Sequence, residues 1–148
     1  MVVVAAIDSS PTSSAVVEEA SELADAYDVP LRLFHVVSRT RYQDIIEGSA
    51  TKHETVDEDV IDDLAAEAIE TATEGRSVEY EVESRLGADV AAEILEYGQE
   101  VDARYFVVGG RKRSPVGKAL VGSVSQSVIL KADRPTVVVK YEHDETDE

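Results

Sequence analysis

Between Tyr105 and Pro135 the chain reads YFVVGGRKRSPVGKALVGSVSQSVILKADRP, and this stretch holds its most suggestive chemistry. Gly109 and Gly110 follow an apolar run. Arg111, Lys112, Arg113 and Lys118 then crowd one loop, and Gly122-Ser123 closes it. Glycines let a backbone come close to a ligand, and cations attract a phosphate. Ser123 with Gln126 three residues on has the spacing of a capping box, so a helix is expected to start at Ser123. A helix N-terminus presents unpaired N–H groups and partial positive charge, which suits an anion. The chemistry suggested is phosphate binding. The same cations would also serve a solvated loop that only offsets an acidic surface.

Charge is unevenly spread. The 148 residues carry a net −17. Met1 to Ala103 holds 6 basic and 25 acidic residues, whereas Arg104 to Lys140 holds 8 basic residues and only Asp133 as an acid. A strongly acidic chain is a poor partner for nucleic acid or an anionic membrane surface. The scarcity of lysine beside Asp and Glu suits a salt-adapted organism. There are no cysteines, so neither disulfides nor thiolate chemistry is available. The opening MVVVAAIDSS has no basic leader, and no run approaches the ~18 apolar residues of a membrane span. A cytoplasmic protein is expected.

Known phosphate and nucleophile signatures are absent. A P-loop would need glycine where Lys112 stands and a hydroxyl where Ala119 stands. The chain has no G-x-G-x-x-G and no G-x-S-x-G around Ser123. His35, His53 and His143 show no metal-ligand spacing, and His35, at the end of a strand, reads as a packed or hydrogen-bonded residue rather than a ligand. No general base or metal site emerges, so turnover would be slow at most.

These groups need elements to position them. Val2 to Ile7 and Leu31 to Val37 are apolar runs suited to buried strands. Val78, Tyr80, Val82 and Ser84 alternate with charges, as in a half-exposed strand, and Arg104 to Val108 and Thr136 to Val139 complete five. Helices are expected from Ser10-Pro11 to Tyr27, with Ser10 as N-cap, then over Glu54 to Thr73, Asp89 to Tyr97 and Ser123 to Ala132. Ser38 to His53 reads as disorder or a partial helix, and 142–148 as an acidic disordered tail after a domain over 1–141. Alternating strands and helices imply an α/β fold: one parallel sheet, order 3-2-1-4-5, with helices on both faces. Strands one and four would then be neighbours whose connections leave in opposite directions. Ligands bind in such a crevice, which would bring Asp8 and Gly109 together.

Over nearly its full length the chain resembles the universal stress protein family. The carrying features are VVVAAIDSSP, LFHVV, SRLGADVAAEI and VVGGRKRSPVGKALVGSVSQSVILKADRPTVVVK. Nucleotide-binding members show G-x-x-G-x9-G-[ST]; Gly109 and Gly122-Ser123 match it, and Lys112 stands at its second glycine. The resemblance implies a Rossmann-like fold and an adenine nucleotide (ATP, ADP or AMP), with or without Mg2+, in a regulatory or stress-protective role. By position, Asp8 would approach the ribose or base, and Ala6, Ile7 and Val36 would line the adenine. Val108 and Gly109 would lie along the nucleoside. Gly122, Ser123, Val124 and Ser125 would offer N–H groups and hydroxyls to the phosphates. Lys112 either blocks the phosphate or grips it as a cation. The resemblance also implies a homodimer, and the β-branched fifth strand, Thr136 to Val139, is an edge suited to pairing with a second copy. Two rival readings are a dimeric interaction module without nucleotide and a slow nucleotide hydrolase.

Overall fold

The computed structural model of the protein describes residues 1–47, 57–112, 119–120 and 122–142. Five parallel strands, β1 (Val2–Ile7), β2 (Leu31–Ser38), β3 (Glu81–Gly87), β4 (Ala103–Lys112) and β6 (Thr136–Glu142), form a sheet in the order β3-β2-β1-β4-β6. A two-residue strand, β5 (Ala119–Leu120), pairs antiparallel with the end of β4. The parallel order is the one expected, with β6 as the fifth strand of the sequence reading.

The order follows from where apolar side chains go. β1 is sealed on both faces: Val3, Val4 and Ala5 have no accessible surface. Alternate residues of its strand and its neighbours feed two cores. Val3, Ala5, Leu33 and Val107 pack under α1 (Thr12–Tyr27), and Val4, Phe34, Phe106 and Val108 under α4 (Val90–Glu100). The helix α3 (Glu58–Thr73) adds Ala72 to the first core, and α5 (Ser123–Lys131) adds Val128 to the second. Burying each of the larger side chains is worth about 1.5–3 kcal/mol. The connections after β1 and β4 therefore leave on opposite faces and part the sheet between them.

Several boundaries differ from the sequence reading, each for a local reason. Gly109 and Gly110 do not end β4. The strand continues through them to Lys112, because β6 supplies partners as far as Lys112↔Glu142. Glycine is needed at 109 for packing: a Cβ there would stand 2.7 Å from Thr12 Cγ2 and 3.3 Å from Val16 Cγ2, so α1 could not lie so close. The third strand starts later, at Glu81, since only from there does β2 offer a register (Arg32↔Glu81). α1 starts one residue late, with Pro11 rather than Ser10 in the cap position. The polar stretch after β2 holds a fifth helix, α2 (Arg39–Glu47), tied down by the buried Tyr42, which packs with Val37 and Ile61. Residues 48–53 of that stretch, His53 among them, lie outside the described residues, as does the tail from His143; β6 itself reaches Glu142. Among the described residues no helix is long and apolar enough to cross a membrane.

Candidate functional site

A cavity of about 670 Å³ opens over the carboxyl ends of β1, β2 and β4. Of the eleven residues singled out from the sequence, all but Lys112 line it. Ala6, Ile7 and Asp8 come from the end of β1, Val36 from β2, and Val108 and Gly109 from β4. Gly122, Ser123, Val124 and Ser125 come from the start of α5. Lys112 is the last residue of β4, its backbone paired with Ala119 and Glu142; its side chain, and the loop residues Arg113 and Lys118, lie outside the described residues.

The start of α5 is the electropositive wall. Its N-cap is Gly122, not Ser123: Gln126 N–H reaches Gly122 C=O at 2.9 Å and is the first to find a helical acceptor. That leaves the N–H groups of Ser123, Val124 and Ser125 without one. Gly122 has no side chain to cap this end, and no side chain among the described residues does so. By contrast, α2, α3 and α4 start on Ser38, Asp57 and Asp89, whose side chains accept from Arg41, Asp59 and Ala92 N–H. A helix left uncapped at a cavity holds its dipole and donors in reserve for an anion. The Ser125 hydroxyl is already engaged, donating to the Gly109 carbonyl at 2.8 Å across sixteen residues of sequence. This bond fixes the first turn of α5 against β4. What Ser125 offers an anion is therefore its N–H, with its oxygen left only as an acceptor.

Asp8 is organised by its own turn. Its Oδ1 accepts from Ser10 N–H at 2.8 Å and from the Ser13 hydroxyl at 3.0 Å, while its N–H donates to Ser13 Oγ at 2.9 Å. Ser13 is buried beneath it. The carboxylate thus stands at the cavity's edge in a fixed pose, suited to accept from a hydroxyl or amine of a ligand. Phe34, Val90 and Ile94 give the cavity an apolar floor between Asp8 and α5.

At the β2 end of the cavity, the sequence reading names Val36 alone. His35, Ser38 and Arg41 line it as well. His35 is packed, as expected, at only 6% exposed, but it is not the hydrogen-bonded alternative at Nδ1, which has no partner among the described residues. A buried polar atom left unpaired costs about 1–3 kcal/mol. Burial, then the positive charge of Arg41, push the His35 pKa below its ordinary value against the opposing pull of Asp8, so the ring is neutral. Arg41 forms no ion pair among the described residues, although acids outnumber cations 31 to 14. The available signal was positional: His35 is the β2 partner of Ile7, one residue from Asp8.

Comparison with known proteins agrees with the fold and the resemblance. The model of the Universal stress protein family matches residues 1–140. The solved structure of a universal stress protein from Archaeoglobus fulgidus is 32% identical, with a TM-score of 0.66, covering 95% of this chain and 98% of that one. The A. fulgidus universal stress protein solved in complex with dAMP is 27% identical at a TM-score of 0.64, again over 95% and 98% of the two chains. A universal stress protein of Mycolicibacterium smegmatis is 36% identical over 72 residues, 49% of this chain and 55% of that protein. The chain spans about half the length of the M. smegmatis relatives it matches. With a family model covering nearly every residue and a full-length structural relative above 30% identity, the chain belongs to the universal stress protein family.

Proposed function

We propose that this chain binds an adenine nucleotide across the carboxyl ends of β1 and β4 and acts as a cytoplasmic regulatory or stress-protective protein. The observation that carries the reading is the start of α5, uncapped among the described residues, with three N–H groups that lack a helical acceptor at a cavity that also holds an apolar floor and one oriented carboxylate. Phosphate has a natural place at Ser123 to Ser125, and Asp8 is set to accept from the ribose or the base amine. Ala6, Ile7 and Val36 border the base, and Val108 and Gly109 the nucleoside. In sequence, Arg111, Lys112, Arg113 and Lys118 lie between Gly109 and Gly122 and add positive charge to the segment that joins the two, and Mg2+ would accompany a triphosphate. That a 27% identical relative over the same span was solved with dAMP supports the reading.

Calorimetry with ATP, ADP and AMP, at the high salt suited to so acidic a chain, tests it. Heat of binding from at least one nucleotide is expected; no heat from any of them, with folded protein, overturns it. Lys112 favours a second reading, an interaction module without nucleotide, because it replaces a glycine of the family's motif. Lys112→Gly separates the two roles of that lysine: tighter binding marks it as an obstruction, weaker binding as a phosphate ligand. The module would be a homodimer in either reading. β6 supports this, since its outer edge pairs with no strand among the described residues and carries Thr136 to Val139. Sedimentation equilibrium should give twice the chain mass.

A further inference from the structure

At the β2 end of the cavity the reading above uses Val36 alone and gives the polar side chains of His35 and Arg41 no task. There, a nearly buried imidazole lies within the field of the Arg41 guanidinium, which no acid among the described residues pairs, in a chain with acids to spare. Both line the same space as the proposed base pocket, and strand register sets His35 directly beside Ile7. We propose that His35 and Arg41 form a donor subsite that hydrogen-bonds a ring nitrogen of the nucleotide's base and so decides which base the cavity accepts. This rests on the nucleotide reading and deepens it.

The chemistry of the two side chains sets the polarity of the subsite. Guanidinium offers only donors. The imidazole has one donor and one acceptor when neutral, and the fold decides which nitrogen faces which way. Nδ1 is sealed inside, so the edge left to the cavity carries Nε2. The β2–β3 register places Ser84 at the same level as His35, and its hydroxyl oxygen is likewise buried without a partner. With Nδ1 unpaired among the described residues, the tautomer that carries its proton on Nε2 is the one that can donate to a ring nitrogen in the cavity. Burial and Arg41 both resist a second proton on the ring, while Asp8 favours one. Two donors then converge from the β2 side, and Asp8 provides an acceptor from the β1 side. A purine base, with ring-nitrogen acceptors beside an exocyclic amine, has the complementary edge.

The test pairs ligand and protein changes. Wild-type protein is titrated with ATP and with the three analogues in which N1, N3 or N7 is replaced by C–H. One analogue should bind roughly tenfold more weakly, the loss of one hydrogen bond, while the other two match ATP. In Arg41→Ala or His35→Phe, ATP itself should weaken by a similar factor and that analogue should no longer be penalised. His35→Gln keeps a donor and a similar reach, and serves if the phenylalanine variant fails to fold. Nitrogen NMR of the wild type should find the His35 proton on Nε2. If ATP and all three analogues bind alike, or the variants keep the full penalty, the subsite is overturned and nucleotide binding stands. If wild type binds no nucleotide, both readings fall.

Discussion

Two cavities of nearly equal size open at opposite ends of the sheet. The one over the strand carboxyl ends measures about 670 Å³ and the one at the amino end of β2 and β3 about 720 Å³. Their chemistry is opposite. The first meets the starts of α1, α2, α4 and α5, holds Asp8 as its lone acidic lining residue among those described, and includes Arg41, which forms no ion pair among them. The second lies by the end of α1 and is lined by Asp25, Asp28, Glu79 and Glu81, with Arg32 already held by Glu81 at 2.8 Å. Helix ends there point carbonyls, not N–H groups, at the space. Other cations near the strand starts are also occupied: Arg104 stacks 4.1 Å over Tyr27, whose hydroxyl meets that of Tyr105, and Arg134 holds Asp102 and Asp133. Volume therefore does not distinguish a site here. Parallel topology does, because it sends every helix start to one end of the sheet.

The most severe way to break the contrast is to reverse the charge at one end. Ser123→Asp puts a carboxylate in the first turn of α5, where it would complement the helix dipole and repel phosphate. Nucleotide affinity should fall ~100-fold or more, while thermal stability holds or rises slightly. Removing charge at the other end, with Asp25→Asn and Glu79→Gln together, should leave affinity within about twofold, because that cavity lies at the opposite end of the sheet and the screening length at 1 M salt is only ~3 Å. Calorimetry on both variants decides. Equal losses would mean that the general field of the protein, and not the α5 turn, holds the ligand.

A second effect separates packing from binding within the upper cavity. Gly109→Ala should cost about 1–3 kcal/mol in denaturant unfolding, because its Cβ meets Thr12 and Val16 and must push α1 off the sheet. Gly122→Ala should change stability by less than about 0.5 kcal/mol; nothing stands within 4 Å of its added Cβ and its φ of −60° suits any residue. An equal cost at both would show that α1 does not seat on Gly109 as described.

That pair of glycines also marks what the sequence could and could not reveal. The Val2–Ile7 run, the helical spacing of Val16 and Ala20, and the strand order were legible because two-sided burial and helix–strand alternation each leave a periodic trace. The convergence of Asp8, Gly109 and Ser123 followed from that order. The reasons behind individual residues did not. Gly109 looked like the end of a strand, but its cause is a helix arriving from ninety-odd residues earlier. The Ser123 capping pattern was satisfied one residue upstream because the chain enters α5 in extended conformation at Gly122. His35 and Arg41 could not be joined to the site from spacing alone, since six residues and a change from strand to helix separate them. Pairing partners and approach distances are tertiary facts, and a one-dimensional pattern carries them only where it repeats.

A smaller effect is read as a slope with pH. The His35 pKa is lowered in the folded chain, so the unfolded chain takes up the proton first as pH falls. The stability tied to the neutral ring is present above the ordinary value of about 6.5 and is lost as pH drops through the folded value. Subtracting the curve of His35→Gln removes the opposing gain from protonating so many carboxylates. The difference between wild type and variant should shrink from pH 8 toward pH 5. A flat difference would mean that the ring is not held neutral beside Arg41.

The smallest expected change belongs to the lower cavity. Asp28 ends α1 in the left-handed conformation, with φ at 55°, and its N–H returns to carbonyls of Ala24 and Asp25. Glycine adopts that conformation without the Cβ strain an aspartate bears, but frees the unfolded chain. It also removes one of the acids that line the space. Asp28→Gly should therefore move unfolding stability by no more than about 1 kcal/mol in either direction, and leave nucleotide affinity untouched. The informative result is the second one. A variant that alters the shape and charge of the lower cavity and still binds ATP as the wild type does would place recognition wholly at the helix-start end; a changed affinity would mean that α1 transmits its C-terminal geometry to Asp8 and Ser13 at its other end.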